Sequence, residues 1–312
     1  MNLLLLTSAY PNYVPDLLLQ GLRKLFGPAV VDFPRKDSVY QGICGPPHLD
    51  PVPGFMADDT DVDRTDIEVK LARGFFDFVL VDVRAFNEQL ALLQKSACKL
   101  ALVDGEDFPF PIRPGPYAIL RRETDGSDFS IPLPMALPAE VIDWIDRHAD
   151  TAKTHSVGFL GSRSVHTPDR NAMLDALAER FPDSLVDSWA VGNSSPGRDG
   201  YYRNLQSCRV VLNLPGAGWD TFRYWENAAC NAMHACKTMP LFVPQDFRDG
   251  VEITRFETLA DLIDRVERVM DGRLDWRAFG ERSRAWLRQH HTTEIRAKQT
   301  IDRLRRAYGI AL

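Results

Sequence analysis

The stretch Leu214-Pro-Gly-Ala-Gly-Trp-Asp-Thr-Phe-Arg-Tyr-Trp-Glu-Asn-Ala-Ala-Cys230 decides the fold. Ahead of it, Cys208-Arg-Val-Val-Leu-Asn213 is short and β-branched, the pattern of a buried strand. Gly216 and Gly218 then break the chain, and Asp220 can accept from the open amides of the next turn, as an N-cap does. A helix is predicted from Thr221 to about Cys236. Phe222, Trp225, Ala229, Ala232, Met233 and Cys236 fall on one face of it at a helical period. At about 100° per residue, Arg223 and Glu226 lie about 60° apart on the edge of that face. Strand, glycine loop and helix thus bring amides, a cation and a carboxylate to one crevice. Crevices outside the strand ends are where open α/β sheets bind ligands.

The chemistry of this crevice is mixed. Helix-start amides suit phosphate, and so does an arginine in the first turn. A glutamate one turn further on repels phosphate but can hold a pair of hydroxyls. The ligand that satisfies all three is a sugar diol joined to phosphates, as in a nucleotide or nucleotide-sugar. The same spacing also suits a core helix with Arg223 and Glu226 paired on its surface, and at this stage both readings stand.

The totals narrow the setting. A length of 312 residues suits two domains of ordinary size. Apolar content of 45% and charged content of 26% are those of a soluble globular protein. A formal net charge of −6 gives no general affinity for nucleic acid, which needs a basic surface. The five cysteines are scattered without metal-ligand spacing, which points to a reduced, cytoplasmic protein with buried thiols. The N-terminal run Met-Asn-Leu-Leu-Leu-Leu-Thr lacks a basic flank and a cleavage-like site, so it is predicted to be a buried strand rather than a secretory signal. No run approaches membrane-spanning length. No metal site is expected: His290 and His291 would point about 100° apart on a helix, and the Asp59-Thr-Asp61-Val-Asp63 acids fall in a solvated, loop-rich segment.

Working outward, strands and helices alternate. Strands are predicted over 3–7, 29–33, 76–83 and 98–103, with a helix over 14–26, the opening of a parallel sheet. The last of these strands ends in Asp104-Gly-Glu-Asp107, a carboxylate cluster at a strand's carboxyl end, for which a solvated turn is the favoured account. Prolines interrupt residues 108–138. A boundary is placed near 151–154, giving domains 1–150 and 151–312. The alternation then restarts with strands over 155–160, 184–191, 209–214 and 239–243. Because parallel crossovers are right-handed, the loops after Leu160, Val191 and Leu214 can open on one edge.

Asp220-Thr-Phe-Arg-Tyr-Trp-Glu-Asn-Ala-Ala-Cys resembles the donor-site helix of GT-B-fold glycosyltransferases, in the branch of spore-protein-like and group 1 C-terminal domains. Phe247-Arg-Asp-Gly, Phe256-Glu-Thr-Leu-Ala-Asp-Leu and His290-His-Thr-Thr-Glu-Ile-Arg resemble later segments of that branch in the same order. The likeness covers about residues 155–306, and the N-terminal half matches only at the level of fold. It implies an α/β protein of two Rossmann-like domains facing across a cleft, with the last helix crossing back to the first domain.

The resemblance also implies roles. Glu226 matches the glutamate that holds the donor's ribose hydroxyls. Arg223 and the loop Gly216, Gly218, Asp220 and Thr221 match the diphosphate side, joined by Gly161 and Ser162 after the first strand of the C-terminal domain. Asn193 falls where the base is often held. Asn231 departs from the pattern by standing where the family usually has glycine. The expected function is a metal-independent, hexosyltransferase-type glycosyltransferase that needs no cofactor beyond its nucleotide-diphosphate-sugar donor; the acceptor is unidentified. Arg223, with Arg163 second, would stabilise the leaving diphosphate, and Asp16 or Asp107 would be the base of an inverting reaction. The rival readings are a non-catalytic two-lobed nucleotide- or sugar-binding protein and a glycosyltransferase acting on nucleic acid.

Overall fold

Strands covered by helices on both faces carry unbroken apolar runs. Leu3–Leu6 and Phe78–Asp82 are buried at every position. The computed structural model describes residues 1–40, 56, 60–161, 163, 167–186 and 197–311. These divide into two compact units. One comprises Met1–Pro138, Phe242–Pro244 and Thr292–Leu312; the other comprises Ala139–Leu241 and Gln245–His291.

The first unit runs β1 (Leu3–Leu6), α1 (Tyr13–Phe26), β2 (Val30–Phe33), α2 (Ile67–Ala72), β3 (Phe78–Asp82), α3 (Leu90–Leu93), β4 (Lys99–Asp104), β5 (Tyr117–Arg121) and β6 (Ile131–Pro132). Its sheet has the order β2-β1-β3-β4-β5-β6, every pair parallel. The strand order reverses between β1 and β3, and that switch point is where such sheets open a crevice.

The second unit runs α4 (Ala139–Asp146), β7 (His155–Gly158), α5 (Pro168–Arg180), α6 (Gly197–Gln206), β8 (Cys208–Asn213), α7 (Phe222–Ala229), β9 (Met233–Lys237), β10 (Thr254–Phe256), α8 (Leu259–Met270) and α9 (Trp276–His290). The sheet order is β10-β9-β8-β7, again parallel, and Leu185 bridges to Gly158 on the far side of β7. The order therefore reverses between β7 and β8, repeating the plan of the first unit. Val157, Phe159, Val210, Leu212 and Met233 share a core with Leu262, Val266 and Phe279. Among the described residues no helix is long and apolar enough to cross a membrane.

Two sequence expectations change here. The helix predicted from Thr221 to about Cys236 ends at Ala229, and Met233–Lys237 is a strand. Cys230 takes an extended backbone, and the Asn231 amide donates to Gln206 Oε1 at 2.9 Å instead of continuing the helix. The apolar positions 232, 233 and 236, which fit a helical period, are buried instead between β8 and β10. The strand expected at 239–243 is accordingly displaced to β9. The expected division near residue 150 also differs from the contact units, which part between Pro138 and Ala139, because α4 packs on α6 and α7.

The final helix α10 (Thr293–Ala307) belongs to the first unit, where it packs along α1. The approach is close enough that an added β-carbon at Gly21 would lie 2.1 Å from the Thr293 carbonyl oxygen. A backbone atom cannot swing aside. Gly21→Ala is therefore expected to destabilise the first unit by about 1–3 kcal/mol. Thermal unfolding checks this: a midpoint within a degree of wild type would show that α1 and α10 are not in contact at this point.

Candidate active site

The switch point of the second unit lies between the loop after β7 and the loop after β8. Arg223, in the first turn of α7, bridges the two. Its Nε donates to Leu160 O at 3.1 Å, and its guanidinium lies 4.4 Å from the centre of the Phe159 ring. Gly161 makes room for this side chain: an added β-carbon would sit 2.3 Å from Arg223 Nη2 and 2.9 Å from the Phe159 ring. Arg170, from the first turn of α5, approaches the same ring at 5.6 Å and donates to Pro215 O at 3.0 Å. Burial first, and then the neighbouring Arg223 charge, lower the Arg170 pKa. Two guanidinium groups are thus held beside one another at the end of the sheet. Among the described residues no carboxylate pairs with Arg223.

That arrangement removes the surface ion pair from the sequence readings of α7. Arg223 and Glu226 do not form a surface ion pair. Glu226 is 7% exposed, and its carboxylate accepts from Tyr201 at 2.9 Å and from Tyr202 at 3.0 Å, both on α6. Burial, with the Glu226 charge second, holds the Tyr201 phenol protonated well above its ordinary range, so it remains a donor.

The loop after β8 is built differently from its sequence reading. Thr221, not Asp220, caps α7: its hydroxyl accepts from the Tyr224 amide at 3.3 Å and donates to Asn213 Oδ1 at 2.7 Å. Asp220 is fully buried and accepts from the Trp225 indole at 2.8 Å, so it anchors the loop. Gly216 donates its amide to Gly218 O at 3.0 Å, which removes one amide from those expected to be open. Arg163 lies in a pair with Asp175 on α5. Ser162 and Asn193 lie outside the described residues. Asn231 needs no glycine-like freedom: left-handed backbone at non-glycine positions is confined, among the described residues, to Asp66 and Gln245.

The two carboxylates proposed as bases sit in the first unit, at the carboxyl edge of its sheet. Asp16 is buried. Its Oδ2 accepts from the Asn12 amide at 2.9 Å, and its Oδ1 lies 3.2 Å from Lys36 Nζ. Lys36 is buried too and donates to the carbonyls of Ser8 and Tyr10, fastening the loop after β1. Across the switch point, Asp82 accepts from Ser8 at 3.0 Å and Asn12 at 3.1 Å. Asp16 therefore shapes a loop. Asp107 is half exposed and pairs with Arg122 at 2.9 Å. Its neighbour Asp104 is buried, accepts from the Phe110 amide at 2.9 Å, and has its pKa raised by burial.

Residues 170–302 match the glycosyl transferase-like family, a span that includes Arg170, the glycine loop, Arg223 and Glu226. The fold is that of the GT-B glycosyltransferases. It is similar to the crystal structure of Anabaena Alr3699/HepE in complex with UDP-glucose (TM-score 0.60, 11% identity, covering 97% of this chain and 99% of that one). It is similar to a glycosyltransferase from Rickettsia africae ESF-5 (TM-score 0.61, 10% identity, 99% of each chain). AviGT4, a glycosyltransferase involved in avilamycin A biosynthesis, is comparable (TM-score 0.52, 15% identity, 100% of this chain and 99% of that one). No curated protein matches the sequence.

Within this GT-B fold, sequence reasoning missed Arg170, Tyr201, Tyr202 and Lys36. Arg170 had a usable signal, since it opens the helix that follows the Gly161 loop just as Arg223 opens the helix after Gly218. The tyrosines had none, because their partner Glu226 lies 24 and 25 residues further on.

Two measurements test the site. Gly161→Ala is expected to leave the fold intact while pushing the Arg223 guanidinium off Phe159, so that Gly161→Ala and Arg223→Ala alter ligand binding alike and the double variant adds little to either. Additive effects would place the two residues apart. For Asp16, burial raises the carboxyl from 3.8 to about 6. The folded chain then holds this proton more tightly than the unfolded chain, so the Asp16 contribution to stability is greatest below about pH 4 and declines as pH rises to about 6. The stability of wild type relative to Asp16→Asn should fall across that window, and a flat difference would return Asp16 to an ordinary carboxyl.

Proposed function

We propose that the protein transfers a sugar from a nucleoside-diphosphate-sugar to an acceptor, using fixed cations in place of a bound metal. The observation that carries this reading is Arg223: a guanidinium held rigid at the β7/β8 switch point, beside a second arginine and without a carboxylate partner among the described residues. An unneutralised, preorganised cation is suited to an anion that gains charge during the reaction, and a departing diphosphate is such an anion. Arg170 adds to the same field.

Glu226 supplies the complementary half. Pinned by Tyr201 and Tyr202 one turn further along α7, its carboxylate is suited to a ribose diol and unsuited to phosphate. The glycosyl transferase-like match over residues 170–302 supports the same assignment. Thr221, with the Gly216–Gly218 turn, orders the loop that would lie along the diphosphate, and Gly161 keeps Arg223 in reach of it.

For an inverting reaction the acceptor proton needs a base. Asp107 is the better placed of the two candidates because its carboxylate reaches solvent, whereas both oxygens of Asp16 are engaged inside the unit. On this reading the donor binds the second unit, the acceptor binds the first, and neither a metal nor a cofactor takes part.

The experiment is a thermal-shift series with UDP, GDP, dTDP, CDP and their sugars, followed by release of nucleoside diphosphate from the stabilising donor. A ligand at 100 times its Kd raises stability by about 2.7 kcal/mol. Turnover should persist in a chelator. Arg223→Ala is expected to lower turnover about 100-fold, with a smaller loss of donor affinity. Glu226→Ala should weaken donor binding roughly ten- to a hundred-fold. Unaltered turnover in Arg223→Ala, or unaltered donor affinity in a folded Glu226→Ala protein, would refute the respective role.

A further inference from the structure

The carboxyl edge of the first sheet carries a second feature. Exposed aromatic rings gather there: Tyr10 (72% exposed) after β1, Phe108 (70%) and Phe110 (46%) after β4, Phe129 (65%) after β5, and Phe242 (51%) from the segment that joins this unit. Hydrogen bonds tie these loops together. Arg84 donates to Pro11 O at 3.1 Å and pairs with Glu106. Arg121 donates to Phe110 O at 3.0 Å and to Asp128 at 2.6 Å. The Phe242 amide donates to Thr124 O at 2.8 Å, and its ring lies against Gly126. The loop from β5 to β6 stays at this edge, since Leu120 pairs with Ile131 only eleven residues on in a parallel register. Phe75, also exposed, lies ahead of β3 at the opposite edge. An exposed apolar cluster of this kind marks a surface that meets a partner.

Charge selects the partner. Between residues 104 and 128 the chain has six acids and three arginines. Arg121 and Arg122 are paired with Asp128 and Asp107, and Arg84 with Glu106. Elements that lie on anionic membranes, and surfaces that bind nucleic acid, need an excess of Lys and Arg. This edge has the reverse. What fits flat aromatic rings among exposed carboxylates is an uncharged molecule with apolar faces and many hydroxyls. The C–H bonds on one face of a pyranose carry slight positive charge and meet the negative face of an aromatic ring, while carboxylates accept from hydroxyls at the rim.

We propose that this edge is a platform for an uncharged saccharide, with Phe108 and Phe129 stacking on sugar rings and Asp107 and Asp125 accepting from hydroxyls. That the saccharide is the acceptor rests on the sugar-transfer reading; that it binds does not.

Affinity electrophoresis through gels cast with dextran, pullulan, galactomannan or xylan tests the platform without any donor. The full chain should be retarded by at least one of them. A Phe108→Ala/Phe129→Ala variant, altered only at exposed loop positions, should bind about tenfold more weakly and keep the wild-type melting midpoint and the wild-type stabilisation by nucleoside diphosphate. The proposal is overturned by free migration in all four gels, by undiminished retardation of the variant, or by binding to phosphatidylglycerol vesicles alone. Retardation without any nucleoside-diphosphate shift would leave the platform standing and sink the donor reading. A nucleoside-diphosphate shift without retardation would do the opposite.

Discussion

One guanidinium fills the space that a side chain at residue 161 would otherwise occupy. Arg223 lies over the Phe159 ring and is bonded to Leu160 O, so its position is set by three consecutive residues after β7. A cation with this little freedom does not have to reorganise when charge develops beside it, and that is the condition for electrostatic catalysis. Arg170 lies beside the same ring, and burial first, then the Arg223 charge, lower its pKa. The loops after β7 and β8 are organised about this contact. Asp220 and Thr221 are turned inward to secure the loop, while the helix start is left to Arg223.

Glu226 shows a second use of the same logic. A buried carboxylate is costly unless hydrogen-bonded, and two phenols from α6 supply those bonds. They also fix the direction of the carboxylate, so the spacing between Arg223 and Glu226 is a property of two helices and not of one. The aromatic packing behind α7 holds this geometry from below. Trp225 lies against Phe247 and His291, while Tyr224 bonds Asp246, which in turn pairs with Arg255. Phe247 and His291 come from the segments 247–250 and 290–296, singled out in the sequence only by their order.

In the first unit the switch point is used for cohesion. Asp82 ties Ser8 and Asn12, and Asp16 with Lys36 closes the loop from beneath. The rigid loops so formed hold exposed rings, where the equivalent edge of the second unit holds arginines. Two parallel sheets thus present opposite chemistries: a cationic edge in the second unit, and an acidic, aromatic edge in the first.

The sequence alone determined the alternation of strands and helices, the two-part plan and the strand–glycine–helix segment at Leu214–Cys230, because buried parallel strands and amphipathic helices write their periods directly into the chain. It also singled out Arg223 and Glu226, whose residue types are meaningful beside a helix start. Only the tertiary structure decided where α7 stops, since Ala232, Met233 and Cys236 fit a helical face and a buried strand equally well until β8 and β10 claim them. Only the structure separated Asp220 from Thr221 as the cap, and only it brought Arg170, Tyr201 and Tyr202 to the site. Such pairings join residues far apart in sequence, and no local period or propensity records which side chain a folded sheet will set beside another.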